Sequence, residues 1–345
     1  MQTVLKATEK PIEQAYGLAL LDLDGVVYRG KNPVDYASES ITKAQQAGMT
    51  VEYTTNNSSR YQQTVADQLR GFGLEVDAWQ IITSSVVAAR MVARAVPKGA
   101  KVYVVGAGHL REELDKQGLV IVEHVEDDPV AVIQGWYPQI DWNELANAAF
   151  AIERGAKYFV TNRDLTLPRE LGIAPGCGSL INAVVTATGV EPIASAGKPE
   201  SAMYDEARLL ASHDGATLVP KDQCLAIGDR LDTDIEAGNR GGYDSLVVLT
   251  GVADPKQLML AVSHLRPTYI ARDLRDLHET MPAPVQVSKT EWECESASAQ
   301  LAGNEVRVSD SADINALRAA CSLLWNLADS EGIDTATLRL PDFRL

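Results

Sequence analysis

The chain has 345 residues, 46% of them hydrophobic, and a formal net charge of −16. That length suits two domains with room for a third, and the hydrophobic share is that of a globular protein with a full core. The acidic balance lacks the basic footprint of a nucleic-acid binder, and no apolar run approaches the ~20 residues that span a bilayer.

The N-terminus shows no signal-peptide core. Cys177, Cys224, Cys294 and Cys321 are widely spaced, without Cys-x-x-Cys or metal-type spacing. They read as reduced buried thiols, so the expected location is the cytoplasm. Short apolar runs rich in Val, Ile and Leu lie at Leu18–Leu23, Val51–Thr54, Val102–Val105, Val130–Ile133, Tyr158–Val160, Leu225–Ile227 and Leu246–Leu249. Helical patterns fall between them at Ser38–Ala47, Tyr61–Gly71, Ser85–Val96, Asn143–Arg154 and Glu200–Ser212. This alternation predicts an α/β fold with a parallel sheet, whose ligands bind beyond the carboxyl ends of the strands.

The strand ends are where the polar residues collect. The run Gly17–Leu21 is followed by Asp22-Leu23-Asp24-Gly25-Val26. Two carboxylates two residues apart repel and shift each other's pKa, and Gly25 allows a sharp turn beyond them. A divalent cation would compensate the charge; a solvated Asp–Gly turn is the competing reading. The next strand ends in Thr54-Thr55-Asn56-Asn57-Ser58-Ser59. Small hydroxyl and amide groups before a helix start make a phosphate cradle, unless Ser58 or Ser59 is only a helix cap. Gly197-Lys198-Pro199-Glu200 sets one positive charge beside another helix start. Gly228-Asp229-Arg230-Leu231-Asp232-Thr233-Asp234 brings three carboxylates in six residues to a strand end, where a metal or a lysine would have to neutralise them.

Taken in order, Asp22-x-Asp24-Gly-Val, Thr55-Asn-Asn, Gly197-Lys198-Pro199 and Gly228-Asp229-Arg-x-x-Thr233-Asp234 resemble the four motifs of the haloacid-dehalogenase superfamily. The pattern looks most like its phosphatases with a type IIA cap, the phosphoglycolate and glycerol-phosphate phosphatase group, over roughly residues 17–275. The resemblance implies a Rossmann-like core formed by residues 1–83 and 191–282 and an inserted α/β cap at 84–190; residues 285–345 lie outside it and read from their own pattern as a small α+β extension. It implies Asp22 as the nucleophile that forms an aspartyl-phosphate and Asp24 as general acid and then general base. Gly25, Thr55, Asn56, Asn57 and Lys198 would meet the substrate, with Thr55 on a phosphoryl oxygen and Lys198 balancing its charge. Mg²⁺ would be held by Asp22, Asp229 and the backbone carbonyl of Asp24, with Asp234 behind them.

Between Thr55 and Lys198 lie 142 residues, far more than one crossover needs. Within that excess, Thr161-Asn162-Arg163-Asp164 resembles the Thr-Asn-x-Asp element of type IIA caps, which brings Asn162 and Asp164 into the expected substrate site. Gly176-Cys-Gly-Ser179 resembles the Gly-rich turn before the return to the core. Many relatives carry Gly-x-Asp where this chain has Gly135-Trp136-Tyr137; Trp136 and Tyr137 are expected to line a leaving-group pocket, to pack in the cap core or to make a dimer contact. The implied substrate is a small phosphorylated metabolite, with glycerol 3-phosphate and phosphoglycolate leading and pyridoxal phosphate or nucleotide monophosphates as alternatives. No nucleic acid or membrane partner is expected, and a homodimer through the cap is left open.

After Pro282-Ala-Pro284 the pattern changes to two short strands, Trp292–Ala297 and Glu305–Val308, and a helix from about Ile314 to Leu327. Sixty residues are marginal as an independent domain, so the extension is expected to pack on the rest of the chain or on a partner. A ligand-binding or regulatory role for it, or a remnant of an acyltransferase-like fold, is the rival reading of another class.

Overall fold

The computed structural model describes residues 5–169, 171–212 and 218–345. The chain divides into two compact units, one of residues 1–53, 70–75 and 207–345 and the other of residues 54–69 and 76–206. Residues 1–4, part of the N-terminus read above for a signal peptide, lie outside the described residues. Among the described residues no helix is long and apolar enough to cross a membrane.

The first unit is built on a sheet in which strands Tyr269–Ala271, Asp244–Val248, Cys224–Gly228, Leu18–Asp22 and Thr50–Thr55 follow one another in that order. Leu18–Asp22 and Cys224–Gly228 run parallel, with Leu18 beside Cys224 and Leu21 beside Ile227, and both are buried along their whole length. A strand buried on both faces carries no polar alternation, which is why these segments read as continuous apolar runs. The shared register brings Asp22 and the Gly228–Asp229 turn level at the carboxyl ends of two neighbouring strands.

The extension belongs to this unit, and its strands differ from the expectation. Four strands form an antiparallel sheet, Val285–Ser288, Glu291–Cys294, Ala297–Ala302 and Glu305–Val308. The single strand expected over Trp292–Ala297 is split because Glu295, at φ 52°, turns the chain so that Cys294 pairs with Ala297. Ala297–Ala302, mostly Ala, Ser and Gln, carries little intrinsic strand signal. The helix runs over Ile314–Ser330, with Asp313 capping it by accepting from Asn315 N at 2.8 Å. It extends past Leu327 because its last turn carries Asp329, which accepts from Arg266 Nη2 at 2.9 Å. One buried cluster joins Trp292, Leu317, Leu324 and Trp325 of the extension to Leu231, Ile235, Leu258 and Ile270 of the preceding chain. Trp325 Nε1 also donates to Leu258 O at 3.0 Å.

The second unit has its own sheet, in the order Ala194–Ser195, Lys157–Val160, Ala131–Gln134, Lys101–Val105 and Val120–Val122, with every pair parallel. Its helix Ser84–Ala95 is capped by Thr83, whose side chain accepts from Val86 N, and its helix Trp142–Glu153 by an Asp141–Glu144 capping box. A hairpin of Thr166–Arg169 with Gly172–Pro175, not visible in the periodicity, follows the strand Lys157–Val160.

Candidate active site

The strand Leu18–Asp22 ends at its first carboxylate, and Gly25 (φ 87°) turns the chain immediately beyond. Gly25 N donates to Tyr28 O at 2.7 Å and closes that turn. Asp22 is buried and Asp24 is exposed, so the two expected catalytic carboxyls sit in different surroundings. In the same unit Asp229 and Asp234 are each 2% exposed. One carboxylate oxygen from each of Asp22, Asp229 and Asp234 lies within 4.8 Å of the others.

The loops around this cluster hold two of its carboxylates, Asp229 and Asp234, in place. Asp229 Oδ2 accepts from Val252 N at 2.7 Å and its main-chain oxygen from Ala253 N at 2.8 Å. Asp234 Oδ2 accepts from Arg230 N at 3.1 Å. Asp232, the third carboxylate of that run, points elsewhere and pairs with Arg230 at 2.9 Å. Glycines make the approach possible: a Cβ on Gly25 would stand 2.6 Å from Asp229 Cγ, and one on Gly251 would stand 2.6 Å from Asp229 Cβ. Three buried carboxylates this close repel strongly unless a positive charge joins them. An all-oxygen donor set of this kind fits a hard dication such as Mg²⁺.

In the second unit the strand end Thr55 opens a loop whose groups are largely tied to one another. Asn57 N donates to Thr55 Oγ1 at 3.2 Å, while Asn57 Oδ1 accepts from Ser59 N and Ser59 Oγ at 2.9 and 3.0 Å. The Ser58 hydroxyl accepts from Trp136 N at 3.3 Å. Ser84 Oγ donates to Asn56 O and Ser85 Oγ to Ser58 O, each at 2.7 Å. Asn162 Nδ2 donates to Asn56 O at 2.8 Å, and Asp164 N donates to Asn162 Oδ1 at 3.2 Å. Gly178 N donates to Asp164 O at 2.9 Å, so the Gly176–Ser179 turn sits against the Thr161–Asp164 turn. Lys198 is 2% exposed, and its main chain is held by the Asn56 side chain. Trp136 packs against the buried cluster of this unit, and the Tyr137 hydroxyl donates to Glu144 Oε2 at 2.7 Å. Burial and that carboxylate push the Tyr137 phenol up to about 12.

The structure therefore gathers Asp22, Asp229 and Asp234 in one unit, and Thr55, Asn56, Asn57, Asn162, Asp164 and Lys198 in the other. Sequence reasoning missed Ser84, just before the expected helix, and Ser85, which looked like an ordinary helix residue. It also missed Thr250-Gly251-Val252, although that turn follows an apolar strand as the other candidate turns do.

Comparison with known proteins places these segments. The haloacid dehalogenase-like hydrolase profile matches residues 19–120, and the HAD-hydrolase-like profile matches residues 195–277. The chain is 36% identical over 326 residues to the D-glycerol 3-phosphate phosphatase of Mycobacterium tuberculosis, covering 92% of this chain and 88% of that one. It is 36% identical over 233 residues to a 5'-nucleotidase of Bacillus subtilis, covering 68% and 87%. The crystal structure of the Mycobacterium tuberculosis glycerol phosphate phosphatase in complex with magnesium aligns with a TM-score of 0.82 over 97% of this chain and 95% of that one. At 36% identity over 92% of its length to one such relative, and with both profiles matched, the chain belongs to the haloacid dehalogenase-like hydrolases.

Proposed function

We propose that this protein is a Mg²⁺-dependent phosphatase of small phosphomonoesters. Glycerol 3-phosphate is its leading substrate and phosphoglycolate the next. The observation that carries the reading is the buried Asp22, Asp229 and Asp234 cluster, with oxygens within 4.8 Å of one another. The glycerol phosphate phosphatase named above supports the substrate class, and the 5'-nucleotidase supports nucleotide monophosphates as the second reading.

In this reading the Asp22 carboxylate attacks phosphorus in line. It forms an aspartyl-phosphate as the ester C–O–P bond breaks on the phosphorus side. Asp24, the exposed carboxyl, gives its proton to the departing alkoxide and then takes one from the water that hydrolyses the acyl phosphate. Thr55 receives a phosphoryl oxygen from the loop that Asn56 and Asn57 shape, and Lys198 balances the charge of the group. Mg²⁺, held by Asp22, Asp229 and the Asp24 main-chain carbonyl with Asp234 behind them, would supply further charge neutralisation, which is most of what phosphoryl transfer asks of a protein. Residues 84–190 act as the cap that excludes water when substrate is bound. The four cysteines are free and buried, which supports a cytoplasmic setting for the reaction.

The test is phosphate release from a panel containing glycerol 3-phosphate, phosphoglycolate, pyridoxal phosphate and nucleotide monophosphates, each with Mg²⁺ and with chelator. Turnover that needs Mg²⁺ and is greatest for the three-carbon ester is expected. A folded protein that releases no phosphate from any ester ends this reading.

A further inference from the structure

Asn56 joins two segments of the second unit that are far apart in sequence. Its Oδ1 accepts from Lys198 N at 2.8 Å, and its Nδ2 donates to Lys198 O at 2.9 Å. The same Nδ2 donates to Asp164, at 3.1 Å to Oδ1 and 3.4 Å to Oδ2. A carboxamide offers two N–H donors and one carbonyl oxygen. Both donors are spent on the protein, and the oxygen is already accepting. The main-chain oxygen of Asn56 is occupied as well, by Ser84 Oγ and Asn162 Nδ2. The fit is tight, since a Cβ on Gly197 would stand 2.6 Å from Asn56 Oδ1 and 2.8 Å from Asn162 Cβ.

A side chain that grips both the N–H and the C=O of one residue fixes that residue's backbone. For lysine this matters, because its ammonium sits on a long flexible stem and acts as a point charge whose placement starts at the main chain. The Asp164 carboxylate makes one of Asn56's bonds charge-assisted and sets which way round the amide lies. We infer that Asn56, oriented by Asp164, is a positioning residue that sets Lys198 for the phosphoryl group, and not a ligand of the substrate. This replaces the substrate-binding role expected for Asn56 and Asp164, and it rests on the phosphatase reading of Lys198 given above.

The phosphoryl group is common to every ester, so loss of the clamp affects all of them by one factor. A residue touching the leaving group would instead change the ranking of esters. The experiment measures kcat and KM of the full chain with Mg²⁺ for p-nitrophenyl phosphate and for glycerol 3-phosphate. Asn56→Asp turns the donating amide toward Asp164 and Lys198 O into a carboxylate. An ångström of misplacement is enough for about 100-fold, and that loss in kcat/KM is expected equally on both esters. Asp164→Asn alone leaves an acceptor for Asn56 and costs less than about tenfold. Adding Asp164→Asn to Asn56→Asp restores the donor–acceptor pair with position 164 but not the bond to Lys198 O, and so returns part of the loss, about threefold or more.

Asp164→Leu, which removes the orienting acceptor, serves as the second probe if Asn56→Asp does not fold. Its loss is again expected to be the same for both esters. Losses that differ more than about tenfold between the two esters, or a double variant no better than Asn56→Asp, overturn the inference while leaving the phosphatase reading intact. Wild-type protein that releases no phosphate from either ester overturns both.

Discussion

Gly251 offers a test of the cation site by the addition of one methyl group. In Gly251→Ala the new Cβ would stand 2.6 Å from Asp229 Cβ and closer still to its carboxylate, whereas ordinary contacts of this kind begin at 3.4 Å. The two segments must part by about 0.8 Å at Cβ and by more at the carboxylate. Neither can move freely. Val252 N and Ala253 N tie the Gly251 turn to Asp229 at 2.7 and 2.8 Å, and a turn at Gly25 crowds Asp229 from another side. A bound Mg²⁺ tolerates ligand displacements of only ~0.2 Å. Losing a partner behind a ligand costs about 10–100-fold in metal affinity, so shifting the ligand itself should cost at least ~100-fold. Mn²⁺ binding followed by electron paramagnetic resonance measures this directly. The Mg²⁺ dependence of phosphate release should shift in parallel, and the melting temperature in chelator should fall by several degrees, because overpacking costs about 1–3 kcal/mol with or without the ion. Mn²⁺ affinity within about threefold of wild type in a folded Gly251→Ala protein would refute the placement of Asp229 in the cation site.

Asp22→Asn should lower kcat by about 10⁴-fold or more, because it removes the covalent route; single-turnover assays with acid trapping of the phosphoenzyme check this, and an undiminished rate would exclude Asp22 as nucleophile. Glu52 is fully buried, neither of its carboxylate oxygens has a hydrogen-bond partner among the described residues, and burial pushes its carboxyl up to about 8 from the usual 4.5. The native protein therefore holds a proton that the unfolded chain has released, and stability falls as pH rises between those two values. A shift of that size corresponds to at most about 5 kcal/mol, and Glu52→Gln is expected to flatten the decline of the melting temperature between about pH 5 and pH 9. An unchanged slope would show that Glu52 is not the group responsible. Deleting residues 285–345 uncovers Leu231, Ile235, Leu258 and Ile270, which share one buried cluster with the extension. At about 1.5–3 kcal/mol for each large side chain, the loss rivals the total stability of a domain. Light scattering should find the truncated chain aggregated, and a monodisperse active fragment would contradict this account.

The sequence by itself carried the α/β class and the positions of the four polar turns at strand ends. Both are local properties: a doubly buried strand is a continuous apolar run, and turns that do chemistry concentrate Asp, Thr, Asn and Gly beyond it. Leu18–Asp22 and Cys224–Gly228 show this, their apolar runs ending beside Asp22 and Asp229. What only the tertiary structure decided depends on contacts with no local signature. The grip of Asn56 on Lys198 and Asp164 joins residues 142 and 108 positions apart, and no periodicity encodes such a bond. The extension gave a similar lesson. Its strands were half hidden because Ala297–Ala302 carries little propensity, and its helix ran on to Ser330, where Arg266 meets Asp329. Residue type and spacing could place carboxylates at strand ends. That three of them share a space 4.8 Å wide, with glycines at 25 and 251 leaving room, followed only from strand register and close packing.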